Sequence, residues 1–273
     1  MKIISAFFLV LFASGVRGRE ATFIGSTPAA PVVRTFLGIP LPDSVDFIRW
    51  KVNLQDDKFT LRCNYGIGKP NTNGFVNGGK WIELNGAFKK EKNYYFLLYG
   101  NKKLGFIELN TDLLYLLNSE NNLLVGNGGW SYTLNNVTPK VTNQISVVAK
   151  QTSLKDSMTF EGRTPCGVPG IIAPGRECYK LKWHVVFYSN SEKNKPRTYK
   201  LLGTPWRKEG GRIGTWEIVK GVDGRTIYQL NDESGNALMD LVKLDENILV
   251  FTDKKGKLLV GNEDFSYTLN RKW

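Results

Sequence analysis

Leu123-Leu-Val-Gly-Asn-Gly-Gly-Trp-Ser-Tyr-Thr-Leu-Asn135 recurs almost letter for letter as Leu258-Leu-Val-Gly-Asn-Glu-Asp-Phe-Ser-Tyr-Thr-Leu-Asn270, at an offset of 135 residues. In a chain of 273 residues, a repeat of this length implies two copies of one module. It also supplies an internal control. Residues that the shared architecture needs should occur in both copies, and residues particular to one copy should not.

Further pairs extend the repeat. Ile48-Arg-Trp-Lys-Val-Asn-Leu54 resembles Leu181-Lys-Trp-His-Val-Val-Phe187, which sets Trp50 opposite Trp183. Gly79-Lys-Trp81 resembles Gly214-Thr-Trp216, and Phe36-Leu-Gly-Ile-Pro40 resembles Phe160-Glu-Gly-Arg-Thr-Pro165. The period is far longer than that of a solenoid repeat, so two complete domains are expected. The expected division is a signal peptide over 1–18, a first module over 34–136, a linker over 137–158 and a second module over 159–273. A module of about 100 residues can bury its own core.

Alternation of period two dominates both modules. Ile48, Trp50, Val52 and Leu54 fall on one face of a strand, with Arg49, Lys51 and Asn53 on the other. Gln55-Asp-Asp57 reads as a turn, and Phe59, Leu61, Cys63 and Tyr65 alternate inward after it. In the second module Leu181, Trp183, Val185 and Phe187 repeat the pattern. Phe106–Asn110, Asn247–Phe251 and both Ser-Tyr-Thr-Leu segments read as further strands, and Asp253-Lys-Lys-Gly256 as a hairpin turn. Ile145–Val148 is a candidate extra strand in the linker. No long stretch of helical period follows the signal. The expected class is all-β: two tandem small antiparallel, lipocalin-like barrels, whose closure removes exposed edges.

Lys2 followed by the apolar run Ile3–Ala13 and small residues has the form of a secretory signal. No later stretch is long and apolar enough for a transmembrane helix. No Cys follows the signal to take a lipid. The expected location is therefore secreted or periplasmic. The formal charge of +12 falls to +10 if Lys2 and Arg17 leave with residues 1–18. Such a charge favours an anionic envelope surface as partner, although the lysines are scattered. Nucleic acid is disfavoured, because no helix-turn-helix or zinc-finger spacing occurs.

The chemistry-bearing residues are few. Cys166 and Cys178 flank a Gly/Pro-rich loop, and three readings stand: a structural disulfide, which the exported context favours, two separate thiols, or part of a metal site. Their counterparts in the first copy fall near Leu41 and Val45, so the scaffold does not require them. Cys63 reads as a buried small hydrophobe. His184 is the only histidine, lies on the face opposite Trp183, and aligns with Lys51. One His and no close Cys pair make a closed metal site hard to assemble, so no metal and no cofactor are expected. Motifs of serine hydrolases, zinc peptidases and P-loop enzymes are absent, and no catalytic residue is assigned. Trp50, Trp81, Trp183 and Trp216 pair across the copies and either fill the barrels or line an apolar pocket in them.

Phe160-x-Gly-x-x-Pro-Cys166, Pro169-Gly-Ile171, Lys180-Leu-Lys-Trp183, Gly214-Thr-Trp216 and Leu259-Val-Gly-Asn262 together resemble the NlpE-type copper-resistance family. The tandem arrangement resembles the form found in Bacteroidota. The resemblance implies a lipocalin-like barrel in the bacterial envelope. The founding type carries Cys-x-x-Cys and a lipid anchor. Here Cys166 is followed by Gly167-Val-Pro169, and the first copy has no Cys in the motif, so copper handling does not follow. The expectation is an envelope-associated binding module and not an enzyme. Its ligand would be a lipid or other apolar or anionic amphipathic molecule, entering near the four tryptophans. The alternative from another class is a secreted hydrolase or inhibitor acting through its loops.

Overall fold

The computed structural model describes residues 20–139, 153–172, 177–206, 210–221 and 223–273. Residues 1–18, expected to be a signal, and Ile145–Val148 lie outside them. The first barrel comprises β1 (Ala21–Thr27), β2 (Phe47–Gln55), β3 (Lys58–Gly66), β4 (Lys80–Glu91), β5 (Tyr94–Tyr99), β6 (Lys102–Asn110), β7 (Leu113–Leu116) and β8 (Thr133–Asn136). The second comprises β9 (Ser157–Thr164), β10 (Leu181–Asn190), β11 (Lys195–Gly203), β12 (Arg212–Lys220), β13 (Thr226–Asn231), β14 (Ala237–Lys243), β15 (Ile248–Phe251) and β16 (Thr268–Lys272). Each is a closed antiparallel meander, β8 returning to β1 and β16 to β9. The all-β, two-barrel expectation is met. Trp50, Val52 and Leu54 are buried in the first barrel, and Leu181, Trp183, Val185 and Phe187 in the second. Charged and polar residues such as Lys51, Arg62 and Glu83 occupy the outer faces, the reverse of a barrel that faces lipid. No described helix is long and apolar enough to cross a membrane.

Strand register corrects where the first module begins. Trp50 pairs with Gly25, and Trp183 with Gly162. Thr22-Phe-Ile-Gly-Ser-Thr-Pro28 is therefore the counterpart of Thr159-Phe-Glu-Gly-Arg-Thr-Pro165, and the first barrel starts at Ala21, not at residue 34. The shared residues have shared work. Trp50 Nε1 donates to Thr27 Oγ1 at 2.8 Å, and Trp183 Nε1 to Thr164 Oγ1 at 2.9 Å. A Cβ at Gly25 or Gly162 would lie 2.9 or 2.7 Å from a carbonyl oxygen of the neighbouring strand, so only glycine fits.

Phe36 instead belongs to a short helix, α1 (Pro31–Leu37), at the end where β1 stops. Pro31 begins it and Gly38 ends it in the left-handed region at φ 74°. Val33, Phe36 and Leu37 are buried in the first core. The second barrel fills the corresponding place with the Cys166–Cys178 loop, whose Val168 is buried and whose Ile171 packs on the second core. The counterpart of Cys166 is thus Ala29, and the alignment near Leu41 fails because α1 has its own Phe-x-Gly.

The two barrels pack face to face through the repeated segment. Ser131 Oγ meets Ser266 Oγ at 2.6 Å, and Thr133 Oγ1 meets Thr268 Oγ1 at 2.9 Å. Gly126 N donates to Asn270 Oδ1 at 2.8 Å, and Gly261 N donates to Asn135 Oδ1 at 2.7 Å. Exchanging the copies exchanges these contacts, which is the signature of an isologous, two-fold interface. Val242, Ile248, Val250 and Leu258 of the second barrel join the apolar core of the first across this seam. Alternation explains why the repeat is so well preserved between copies. Tyr132 and Leu134 point into their own barrel, and Ser131, Thr133 and Asn135 point at the other.

Candidate functional site

The four tryptophans separate. Trp50, Trp183 and Trp216 are buried, and Trp216 Nε1 donates to the Tyr188 carbonyl at 2.9 Å. They build the cores. Trp81 is 57 % exposed on the outer face of β4, with the Arg62 guanidinium 4.4 Å from its ring centre. It is not the counterpart of Trp216. Phe59 pairs with Gly86, and Tyr199 with Gly214, so Gly86-Ala-Phe88 corresponds to Gly214-Thr-Trp216. Of the two readings of the four, filling describes Trp50, Trp183 and Trp216, and Trp81 stands outside both. None of them lines the cavity of the first barrel.

That cavity, of about 200 Å³, opens at the end of the first barrel where β1 starts and β2, β4 and β6 finish. Phe23, Leu54, Phe88 and Tyr95 supply its walls, and Lys90 and Glu108 its polar groups. Strand phase puts these groups on the inner face: Lys90 pairs with Tyr95, and Tyr95 with Phe106, two residues from Glu108. Lys90 Nζ lies 2.6 Å from Glu108 Oε2 and 2.6 Å from Tyr95 Oη. Burial works to lower the Lys90 ammonium. The hydrogen bonds and charges of Glu108 and Tyr95 outweigh it and hold Lys90 above its ordinary range. Glu20 and Asp56 also line the opening. Three carboxylates against one ammonium make this mouth a poor place for an anionic head group.

The second barrel shows why the cavity exists. Register makes Phe187 the counterpart of Leu54, Trp216 of Phe88, Tyr228 of Tyr95, and Ile218 of Lys90. There the rings close on one another, with centroids 4.9 Å apart for Phe187–Trp216 and 4.8 Å for Trp216–Tyr228. The first barrel carries a Leu, a smaller ring and an ammonium at these positions. The space left over is the cavity.

The remaining sequence candidates are structural. Cys166 and Cys178 form a disulfide with Cα atoms 6.0 Å apart, and Cys63 is a free, buried thiol pushed well above its usual pKa by burial. His184 faces outward, with Nδ1 2.8 Å from Glu161 Oε1, to which Lys272 Nζ also reaches at 2.7 Å. Sequence reasoning missed Lys90, Tyr95 and Glu108. The available signal was phase: Leu84, Gly86, Phe88 and Lys90 share one face of β4, so Lys90 is an inward charge.

Comparison of this chain with protein-family models, with curated proteins and with solved structures found no match.

Proposed function

We propose that the protein is a binding module, and that its first barrel is the half that binds. The observation that carries this reading is the contrast between barrels: the same backbone positions are filled by Phe187 and Trp216 in one and leave a cavity of about 200 Å³ in the other. An apolar cavity of about 150 Å³ suffices for benzene. The matching ligand is a small amphipathic molecule. Its ring or short chain sits among Phe23, Leu54 and Phe88, and its neutral or cationic polar end meets Tyr95 and Glu108. Location in the envelope, and kinship with NlpE-type barrels, remain part of this proposal. They are supported by the Lys2–Ala13 segment, the disulfide and the closed eight-stranded barrels.

The test is to fill the cavity with its own counterpart. Leu54→Phe with Phe88→Trp copies the second barrel into the first. Benzylamine and benzyl alcohol, titrated into the isotope-labelled protein, should shift the amides of Leu54, Phe88 and Tyr95. The filled variant should not respond. Absence of any response in the unmodified protein, or an undiminished response in the filled variant, rejects the reading.

A further inference from the structure

The two-fold seam breaks its symmetry at the paired loops that carry Asp264 and Gly129. In one half the Glu263-Asp264 loop brings a carboxylate across to the first barrel. Arg49 Nη2 lies 2.5 Å from Asp264 Oδ1, and Asn73 Nδ2 donates to Asp264 Oδ2 at 2.7 Å. The counterpart of Arg49 in the other half is Lys182. Beside it, in the place of Ser26, stands Arg163. The counterpart of Asp264 is Gly129. The two loops are built alike: Asn262 Oδ1 accepts from Asp264 N and Phe265 N, and Asn127 Oδ1 from Gly129 N and Trp130 N. One half therefore keeps its cations and lacks the acid that would answer them.

The cations crowd one another. Arg163 and Lys182 are direct cross-strand partners on the outer face of β9 and β10. Like charges so placed are destabilising unless something compensates them. Among the described residues no carboxylate forms an ion pair with either, or with Lys180. Arg163 lies over the Trp130 ring at 5.3 Å, its Cζ 3.6 Å from where a Cβ on Gly129 would stand. Burial lowers the Lys180 ammonium, the charges of Arg163 and Lys182 lower it further, and Asp264 opposes this. Lys180 and Lys182 also line a concavity of about 430 Å³, together with Tyr179, Thr204 and Glu177. Tyr179 is 63 % exposed there, with Lys180 Nζ over its ring at 5.2 Å.

We propose that Arg163, Lys180 and Lys182 form a site for an oxyanion on a small ligand, whose body lies in the concavity against Tyr179. The oxyanion supplies the negative charge that Asp264 supplies in the other half. A sugar carboxylate and a phosphate share this chemistry. The site is separate from the barrel-mouth cavity and does not depend on it.

Two anions and one neutral control test the site on the full chain by amide shifts: digalacturonate, inorganic phosphate and the uncharged galactose disaccharide. Either anion should shift the amides of Gly129, Arg163 and Lys182, and the tighter of the two identifies the source. Gly129→Asp should place a carboxylate against Arg163 and weaken binding about tenfold or more, as should Lys182→Ala on its exposed side. Unchanged amides of Gly126 and Gly261 show that the seam is intact in each variant. The proposal is overturned if neither anion moves the cluster. It is equally overturned if the neutral sugar binds as well, or if both variants bind like the unmodified protein.

Discussion

Asn135 and Asn270 clasp opposite halves of the molecule, each accepting a backbone N–H from the other barrel, at 2.7 Å from Gly261 and at 2.8 Å from Gly126. They lie 135 residues apart and occupy the same place in their modules. Their donors differ. Asn135 Nδ2 reaches the Asn262 carbonyl at 3.0 Å, whereas Asn270 Nδ2 is buried without a partner. Asn135→Ala should therefore cost more stability than Asn270→Ala, on the order of 1–3 kcal/mol against roughly 1. Urea denaturation with unchanged slope checks the order, and equal costs would show that the seam is symmetric in energy as well as in shape.

The seam also changes what an excised module should do. Each barrel closes its own sheet, so a fragment of residues 153–273 should fold. Excision, however, bares Val242, Ile248 and Val250, which are buried in the intact chain. Because the interface is isologous, the bared face complements itself. The fragment should run as a dimer in light scattering at micromolar concentration. A folded monomer would show that the apolar part of the seam contributes little.

The corrected correspondence between the barrels can be read in stability. Gly86 and Gly214 sit under the rings of Phe59 and Tyr199, and a Cβ at either would come within 2.4 or 2.1 Å of a carbonyl oxygen. Alanine at either site should cost about 1–3 kcal/mol through overpacking. Trp216→Ala should cost about 3–5 kcal/mol. Trp81→Ala, on the outer face, should cost less than about 1 kcal/mol. Equal losses at Trp81 and Trp216 would restore the pairing that the Gly-x-Trp strings suggest.

These cases show what the sequence made legible. Alternation in Ile48–Leu54 and Leu181–Phe187 has period two, so strand faces and the all-β class could be read directly. The Ser-Tyr-Thr-Leu-Asn repeat was conspicuous because its residues serve a core and a seam at once. The start of the first module was hidden because α1 carries Phe36-Leu-Gly38, a chance likeness to Phe160-Glu-Gly162. The cavity was hidden for a different reason. It depends on which residue faces which across three strands, and on Leu54 and Phe88 being smaller than Phe187 and Trp216, a comparison that needs the register. The asymmetry of Asp264 and Gly129 stood in the quoted repeat from the outset. Its meaning required knowing that Arg49 faces Asp264, and Arg163 faces Gly129, from the opposite barrel.

Alkaline pH should unfold this protein through its buried tyrosines. Burial pushes the Tyr228 hydroxyl up from 10.0 to about 12, and it also raises Tyr115, Tyr132, Tyr199 and Tyr267. For each, the folded state holds its proton to higher pH than the unfolded chain does. Between the two pKa values the unfolded state binds fewer protons, so stability falls as pH rises. The contribution is complete below about pH 10 and is lost on the way to the folded value. Each such proton steepens the fall by about 1.4 kcal/mol per pH unit. Urea midpoints should thus be flat from pH 7 to 9 and drop sharply from pH 10 to 11.5. Tyr228→Phe removes one titrating group and should make that drop shallower. An unchanged slope in the variant would mean that Tyr228 meets hydroxide without unfolding, and the closely packed Phe187–Trp216–Tyr228 end of the second barrel would have to be more open than its geometry indicates.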